Sequence, residues 1–288
     1  MNPYLLSVLL GIIEGVTEFL PVSSTAHLRI AEAFLGVNLA DGYWKMYSIV
    51  IQLGAILCLP IYFGDRISEF MRTFPRGERH NRTFLTHPLS LTMVAFVCTA
   101  APAFLLTKVI GKHLESLLVM AWSLISGGII MWVIDAMYER GRLAMRPIDR
   151  MDEMTFGQAV WIGLCQTLSA VFPGTSRSMA TISAGQLAGM SRSAALEFSF
   201  FLSMPTMVAA TCYDLYKSLK HGGASALGAG PVGHQGWALL AIGFIVSFFV
   251  ALVVVAWFMH WVRTRGFTIF AIYRIILGVA VLFWVLKL

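Results

Sequence analysis

Six long apolar runs constrain this chain more than any other feature. They extend from Met46 to Phe63, Leu89 to Leu106, Leu117 to Met137, Phe198 to Cys212, Trp237 to Met259 and Ile269 to Leu286. Most approach the roughly 20 residues that a helix needs to cross a bilayer core. Only 12% of the residues are charged and the mean hydropathy is +0.75, against a charged fraction of about 25% in soluble domains. No period-2 alternation appears, and open strand edges find no hydrogen-bond partners in lipid. The expected fold is therefore all-α, a polytopic membrane protein forming a single integral domain over residues 1–288.

One stretch breaks the apolar pattern. In Gly11 to His27, GIIEGVTEFLPVSSTAH, Glu14 and Glu18 lie one turn apart on one helix face, where like charges repel unless a cation is shared between them. Pro21 ends that helix, and Val22-Ser23-Ser24-Thr25 then forms a loop or the cap of a new helix. His27, three residues after Ser24, falls on the same face if the new helix starts there, so a serine and histidine partnership is one reading. Ordinary capping by Ser23, Ser24 and Thr25, and a satisfied polar His27, is the other. The stretch has no basic flank and carries two glutamates, so it is expected to belong to the mature fold and not to a cleaved signal peptide.

The chain also resembles itself. Setting Gly11 against Gly163 aligns this stretch with GLCQTLSAVFPGTSRSM, bringing Pro21 onto Pro173, Glu14 onto Gln166 and Ser24 onto Ser176. Each half reads as a re-entrant helix broken at its proline, followed by three transmembrane helices: repeat 1 over about 1–137, a linker at 138–155 and repeat 2 over about 156–288. Three crossings is an odd number, so the second repeat is expected upside down, an inverted-topology arrangement that brings two irregular loops together near the midplane. The second loop, Phe172 to Thr181, carries Gly174 for a tight turn, hydroxyls at Thr175, Ser176, Ser178 and Thr181, and Arg177, whose planar fork suits phosphate oxygens. A charged arginine at membrane depth is by default functional.

Charge supplies an orientation. Arg66, Arg72, Arg76, Arg79, Arg82, Arg140, Arg142, Arg146, Arg150, Arg263 and Arg265 fall in segments that this topology puts on one face, with Lys108, Lys112, Lys217 and Lys220 opposite. The positive-inside rule makes the arginine face cytoplasmic and both termini external. The net charge of +6 is thereby explained without nucleic acid, for which there is neither a basic stripe nor an aromatic platform. The four cysteines are single and read as small buried hydrophobes. Gln52 is a candidate for lining the cavity, Glu197 for pairing with Arg192 or Arg177, Met204-Pro205 for a kink, and Tyr4, Trp44, Trp237 and Tyr273 for interfacial anchors. The glycine-rich Gly222 to Gly236 reads as an external loop.

The two loops, EGVTEFLPVSSTAH (Glu14 to His27) and PGTSRSMAT (Pro173 to Thr181), resemble the signature motifs of the bacterial undecaprenyl-diphosphate phosphatase family, the bacitracin-resistance family. IQLGAIL (Ile51 to Leu57), EFSFFLSMP (Glu197 to Pro205) and FAIYR (Phe270 to Arg274) extend the resemblance over nearly the whole chain. It implies an inner-membrane hydrolase that converts undecaprenyl diphosphate to the monophosphate carrier lipid for cell-wall synthesis, with its site towards the external side. Glu14 and Glu18 match the family's paired carboxylates, Ser24 its proposed nucleophile, His27 its histidine and Arg177 its phosphate-binding arginine. A Mg2+ or Ca2+ ion between Glu14, Glu18 and the diphosphate is expected. Ser23, Thr25, Gly174, Thr175, Ser176, Ser178 and Thr181 complete the expected phosphate cradle. Direct attack by His27 or by water is the mechanistic alternative, and a transporter or flippase for polyprenyl phosphate the alternative function; a homo-oligomer is left open. Met179 stands where the family commonly has glycine, and Ser48 where it often has glutamate.

Overall fold

The structure, a computed structural model, describes residues 2–37, 42–77, 82–106, 116–143, 147–222 and 234–287. Arg79, Lys108, Lys112, Arg146 and most of the Gly222 to Gly236 stretch lie outside the described residues, as do the side chains of Lys217 and Lys220. The helices are α1 (Pro3–Thr17), α2 (Ser24–Phe34), α3 (Gly42–Ile56), α4 (Cys58–Tyr62), α5 (Gly64–Thr73), α6 (Pro88–Leu105), α7 (Leu117–Glu139), α8 (Phe156–Val171), α9 (Arg177–Leu187), α10 (Arg192–Gly222), α11 (His234–Thr264) and α12 (Thr268–Lys287). Five of them are long and apolar enough to cross a membrane, or six spans if the bent α3 to α5 segment counts as one. The protein is thus an all-helical, multi-pass membrane protein.

Prolines decide where helices stop. Pro21 denies a hydrogen bond to the carbonyl four residues back, and α1 ends at that residue, Thr17. Pro60 does the same to Ile56, the last residue of α3. The apolar run from Met46 to Phe63 therefore holds two helices, and the chain turns by 63° at its end, where α5 begins. Pro205, by contrast, stays inside the continuous α10, where Ser203 and Thr206 donate hydroxyl bonds to the carbonyls of Ser199 and Leu202.

The main helix pairs are α7 with α12, α1 and α3 with α11, α6 with α8, and α3 and α6 with α10. At one end, Arg66 of α5 binds Glu69, Asp152 and Glu197 at 2.9, 2.7 and 3.1 Å. Arg192 of α10 binds the buried Asp135 and Glu139, both at 2.8 Å. The expected pairing of Glu197 with Arg192 or Arg177 is corrected by these bonds: α5 delivers Arg66 to Glu197 first. Asp135 of α7 also accepts from the Phe267 and Thr268 amides at 2.8 and 3.2 Å, capping α12. The stretch between the halves is pinned as well, since Ile148 exchanges backbone bonds with Gly189 and Ser191 at 2.9 and 2.8 Å. The cysteines are free.

Candidate active site

Two helices restart after a proline break, and both do so in the same unusual way. The N-caps Ser23 and Ser176 have φ of 74° and 66°, and among the described residues they are the only non-glycines in the left-handed region. Each side chain accepts from the amide three residues on, Ala26 at 3.5 Å and Met179 at 3.3 Å, which fixes the first turns of α2 and α9. The first-turn amides of such helices have no intrahelical acceptor and carry the positive end of the helix dipole. One residue more separates proline from cap in the second half, Pro173-Gly174-Thr175-Ser176 against Pro21-Val22-Ser23. The structural counterpart of Ser24, first in α2, is accordingly Arg177, first in α9, and not Ser176 as the sequence alignment expects. Gly174 absorbs the extra residue with φ of 93°, and a side-chain carbon there would sit 2.8 Å from the Met120 carbonyl.

The two helix starts meet on one carboxylate. Ser24 donates its hydroxyl hydrogen to Glu18 Oε2 at 2.5 Å, and Arg177 Nη2 donates to Glu18 Oε1 at 2.9 Å. All three are largely removed from solvent: Glu18 is 7% and Ser24 8% exposed, and the Arg177 side chain 13%. Glu14 is fully buried, and neither of its oxygens has a hydrogen-bond partner; Arg177 Nη1 and Ser178 Oγ are buried and unpartnered too. Four unused polar atoms from α1 and α9 beside a bonded triad mark a place built for something polar, because each would otherwise cost free energy to bury.

His27 is held elsewhere. Its Nδ1–H donates to the Ser23 carbonyl at 2.7 Å, and its Nε2 accepts from the Tyr273 hydroxyl at 2.7 Å, with the two rings stacked 5.6 Å apart. A carbonyl only accepts, so Nδ1 carries a proton, and in the neutral ring this leaves Nε2 as the acceptor. The hydrogen-bonded partner of Ser24 is Glu18, and that of His27 is Tyr273, which the sequence suggests only as an interfacial anchor.

The remaining expected residues divide. Thr181 spends its hydroxyl on Arg177 O and Ser178 O, at 3.0 and 3.2 Å, and on Ser199 at 2.6 Å, which fastens α9 to α10. Thr175 donates its amide to Phe172 O at 3.1 Å, and Thr25 is exposed. Gln52 is partly buried on α3, and no hydrogen bond ties it to the triad. Met179 turns into the core, where its methyl faces Gly127 of α7. Ser48 donates to the buried Glu32 at 3.2 Å, so a carboxylate from α2 occupies the space beside it. Arg274 is the residue that local sequence reasoning misses: fully buried on α12, it donates to Pro21 O at 3.0 Å, Ser123 O at 3.1 Å, and Gly174 O and Thr175 O at 3.0 Å each.

Comparison with known proteins identifies the family. Residues 7–280 match the model of the family described as bacitracin resistance protein BacA. A protein of Koribacter versatilis (strain Ellin345) named undecaprenyl-diphosphatase is 66% identical over the full length of both chains. Relatives of the same name from Rhizobium etli (strain CIAT 652) and Xanthomonas oryzae pv. oryzae (strain PXO99A) are 42% and 39% identical; the alignments cover 97% and 99% of this chain and 96% and 98% of theirs. With the match spanning the proline loops and every long helix, the chain belongs to the bacitracin resistance protein BacA family.

Proposed function

We propose that this protein is an integral-membrane phosphatase that removes the terminal phosphate of undecaprenyl diphosphate and leaves the monophosphate carrier lipid. The observation that carries the reading is the Ser24 hydroxyl bonded at 2.5 Å to Glu18, whose other oxygen holds Arg177. Ser24 Oγ attacks the terminal phosphorus while Glu18 takes its proton. The bond from that phosphorus to the bridging oxygen breaks, and the electron pair leaves with the lipid monophosphate. The proton on Glu18 passes to the departing lipid monophosphate; water then attacks the phosphoserine, its hydroxyl going to phosphorus and its proton, by way of Glu18, to Ser24 Oγ as inorganic phosphate leaves. Arg177, with Nη1 unpartnered, and the first-turn amides of α9 stabilise the oxygens of the transferring group, where phosphoryl transfer gains most of its acceleration. His27 as nucleophile would first have to release Tyr273. A polyprenyl phosphate carrier would use the arginine but has no use for a serine bonded to a carboxylate.

A divalent cation fits the donor set, since both oxygens of Glu14 are buried and unpartnered. Among the described residues no three His, Cys, Asp or Glu side chains are close enough to hold an ion by themselves. Mg2+ or Ca2+ would therefore be held by Glu14, with Glu18, and by substrate oxygens and water. When bound, the ion would neutralise diphosphate charge.

The two halves are read as inverted repeats: exchanging α1 with α8 and α6 with α11 carries the α1–α11 pairing onto α8–α6. Arg66, Arg150 and Arg263 line one cavity of about 530 Å³ at the end where α5 meets the linker, which supports a common arginine face there. By the positive-inside rule that face is cytoplasmic, and the termini and the site look outward.

The test is phosphate release from undecaprenyl diphosphate by the purified protein in detergent with Mg2+ or Ca2+. Release of one phosphate per lipid supports the reading; no release from any prenyl diphosphate under either metal overturns it.

A further inference from the structure

Arg274 makes an arrangement that the reaction scheme above does not use. Its guanidinium is buried in the membrane domain without a carboxylate partner among the described residues, and its acceptors are main-chain carbonyls from three separate segments. One is Pro21 of the first proline loop, two are Gly174 and Thr175 of the second, and one is Ser123 of α7. A planar fork with five donors can bridge such a set; a lysine ammonium cannot reach the same acceptors in the same plane.

The geometry has two consequences for the site. The first is mechanical: Pro21 lies three residues before Ser24, and Thr175 two before Arg177, so one rigid group sets the distance between the helix starts that carry them. Holding Thr175 by its carbonyl also aims the amide of the next residue, Ser176, away from Arg274, because the two ends of a trans peptide point in opposite directions. The second is electrostatic. Arg177 is balanced by Glu18, whereas Arg274 is opposed only by carbonyl dipoles, so its charge persists behind both loops and favours a polyanion in front of them.

We propose that Arg274 is a positioning residue of the hydrolase, clamping both proline loops by their carbonyls so that the starts of α2 and α9 face the two phosphates of one diphosphate. The role rests on the phosphatase reading above. It extends that reading by assigning one phosphate to each helix start, and it makes Gly127 part of the device. A side-chain carbon at Gly127 would lie 2.5 Å from Arg274 Nη2, so α7 leaves the space that the guanidinium fills.

The experiment compares Arg274→Lys, Arg274→Met and Gly127→Ala with wild type by steady-state phosphate release from undecaprenyl diphosphate, with thermal unfolding to establish the folded fraction. For folded Arg274→Lys, which keeps the charge and loses the fork, kcat is expected to fall about 30-fold or more with KM within about threefold of wild type. Arg274→Met, which loses both, is expected to lose kcat and also to raise KM. Gly127→Ala, which crowds the guanidinium and also the flexible Met179 methyl of α9, is expected to show a weaker form of the lysine effect. Near-normal kcat in folded Arg274→Lys, or loss of activity in all three that merely tracks the unfolded fraction, overturns the role. Should wild type itself release no phosphate, the phosphatase reading falls and this role falls with it; a normal wild type beside active lysine and alanine variants removes Arg274 alone.

Discussion

Ser23 and Ser176 share a backbone conformation that serine rarely adopts, with φ of 74° and 66°, each at the N-cap of a helix that restarts after a proline. A left-handed residue costs about 1–2 kcal/mol outside glycine, and here that cost is met twice, at equivalent places. Both serines also cap the helix they begin. Glycine at either position should relieve the strain while sacrificing the cap, and alanine should lose the cap and keep the strain. Thermal unfolding of Ser176→Gly and Ser176→Ala is expected to differ by about 1–2 kcal/mol in favour of glycine.

Replacing Ser24 with alanine removes the proposed nucleophile but leaves Glu18 bound to Arg177. We expect kcat to fall by about a thousandfold or more with little change in KM, the pattern of an interaction used only in the transition state. Stoichiometric labelling of wild type, absent in Ser24→Ala, after quenching with a substrate radiolabelled in its terminal phosphate would identify the phosphoserine directly. Near-normal turnover would rule out Ser24.

Glu14 separates binding of a cation from proton transfer. Its two unpartnered oxygens predict that Mg2+ stabilises wild type in a concentration-dependent way, by about 2.7 kcal/mol at a hundred times Kd, read as a rise in unfolding temperature. Glu14→Gln should lose most of that shift, and in metal-free buffer it should be no less stable than wild type, because a buried unpaired carboxylate is costly. An equal Mg2+ response in both proteins would exclude Glu14 as a ligand.

His27 and Tyr273 form one hydrogen-bonded, stacked unit. A double-mutant cycle with His27→Ala and Tyr273→Phe should therefore be non-additive in kcat: once His27 is gone, loss of the Tyr273 hydroxyl should matter little. Full additivity would mean that the two act independently.

Asp135 accepts from Arg192, Phe267, Thr268 and Gln186 while fully buried. Asp135→Asn leaves Arg192 with Glu139 alone as its anion, sets an amide donor against the Phe267 and Thr268 donors, and should cost roughly 1–3 kcal/mol in unfolding free energy. Calorimetry in detergent would measure it.

The places where the chain turns are legible locally. Hydropathy locates the long helices, and Pro21 announces the break after α1, since both depend on a few neighbouring residues. Tertiary partners are less accessible. The alignment of Ser24 with Ser176 is overturned by a single inserted residue that Gly174 accommodates, a matter of backbone torsion without effect on hydropathy. The union of His27 with Tyr273 spans 246 residues and that of Arg274 with Pro21 spans 253; neither leaves any periodicity to detect. Arg274 lies within FAIYR, a motif that signals the family, yet its role becomes apparent only when α12 is packed on α7. Pro60, equally visible in the sequence, acquires its meaning from the end of α3 at Ile56.

The clamp at Arg274 also imposes an order on biogenesis. Its carbonyl partners precede it in the chain by 253, 151, 100 and 99 residues, so both loops leave the ribosome and enter the membrane well before the group that joins them. During synthesis the nascent protein holds Ser24 and Arg177 on loops not yet tied together. Under the proposed role of Arg274, insertion of α12, whose start Asp135 caps, would be the step that ties the two loops into one site.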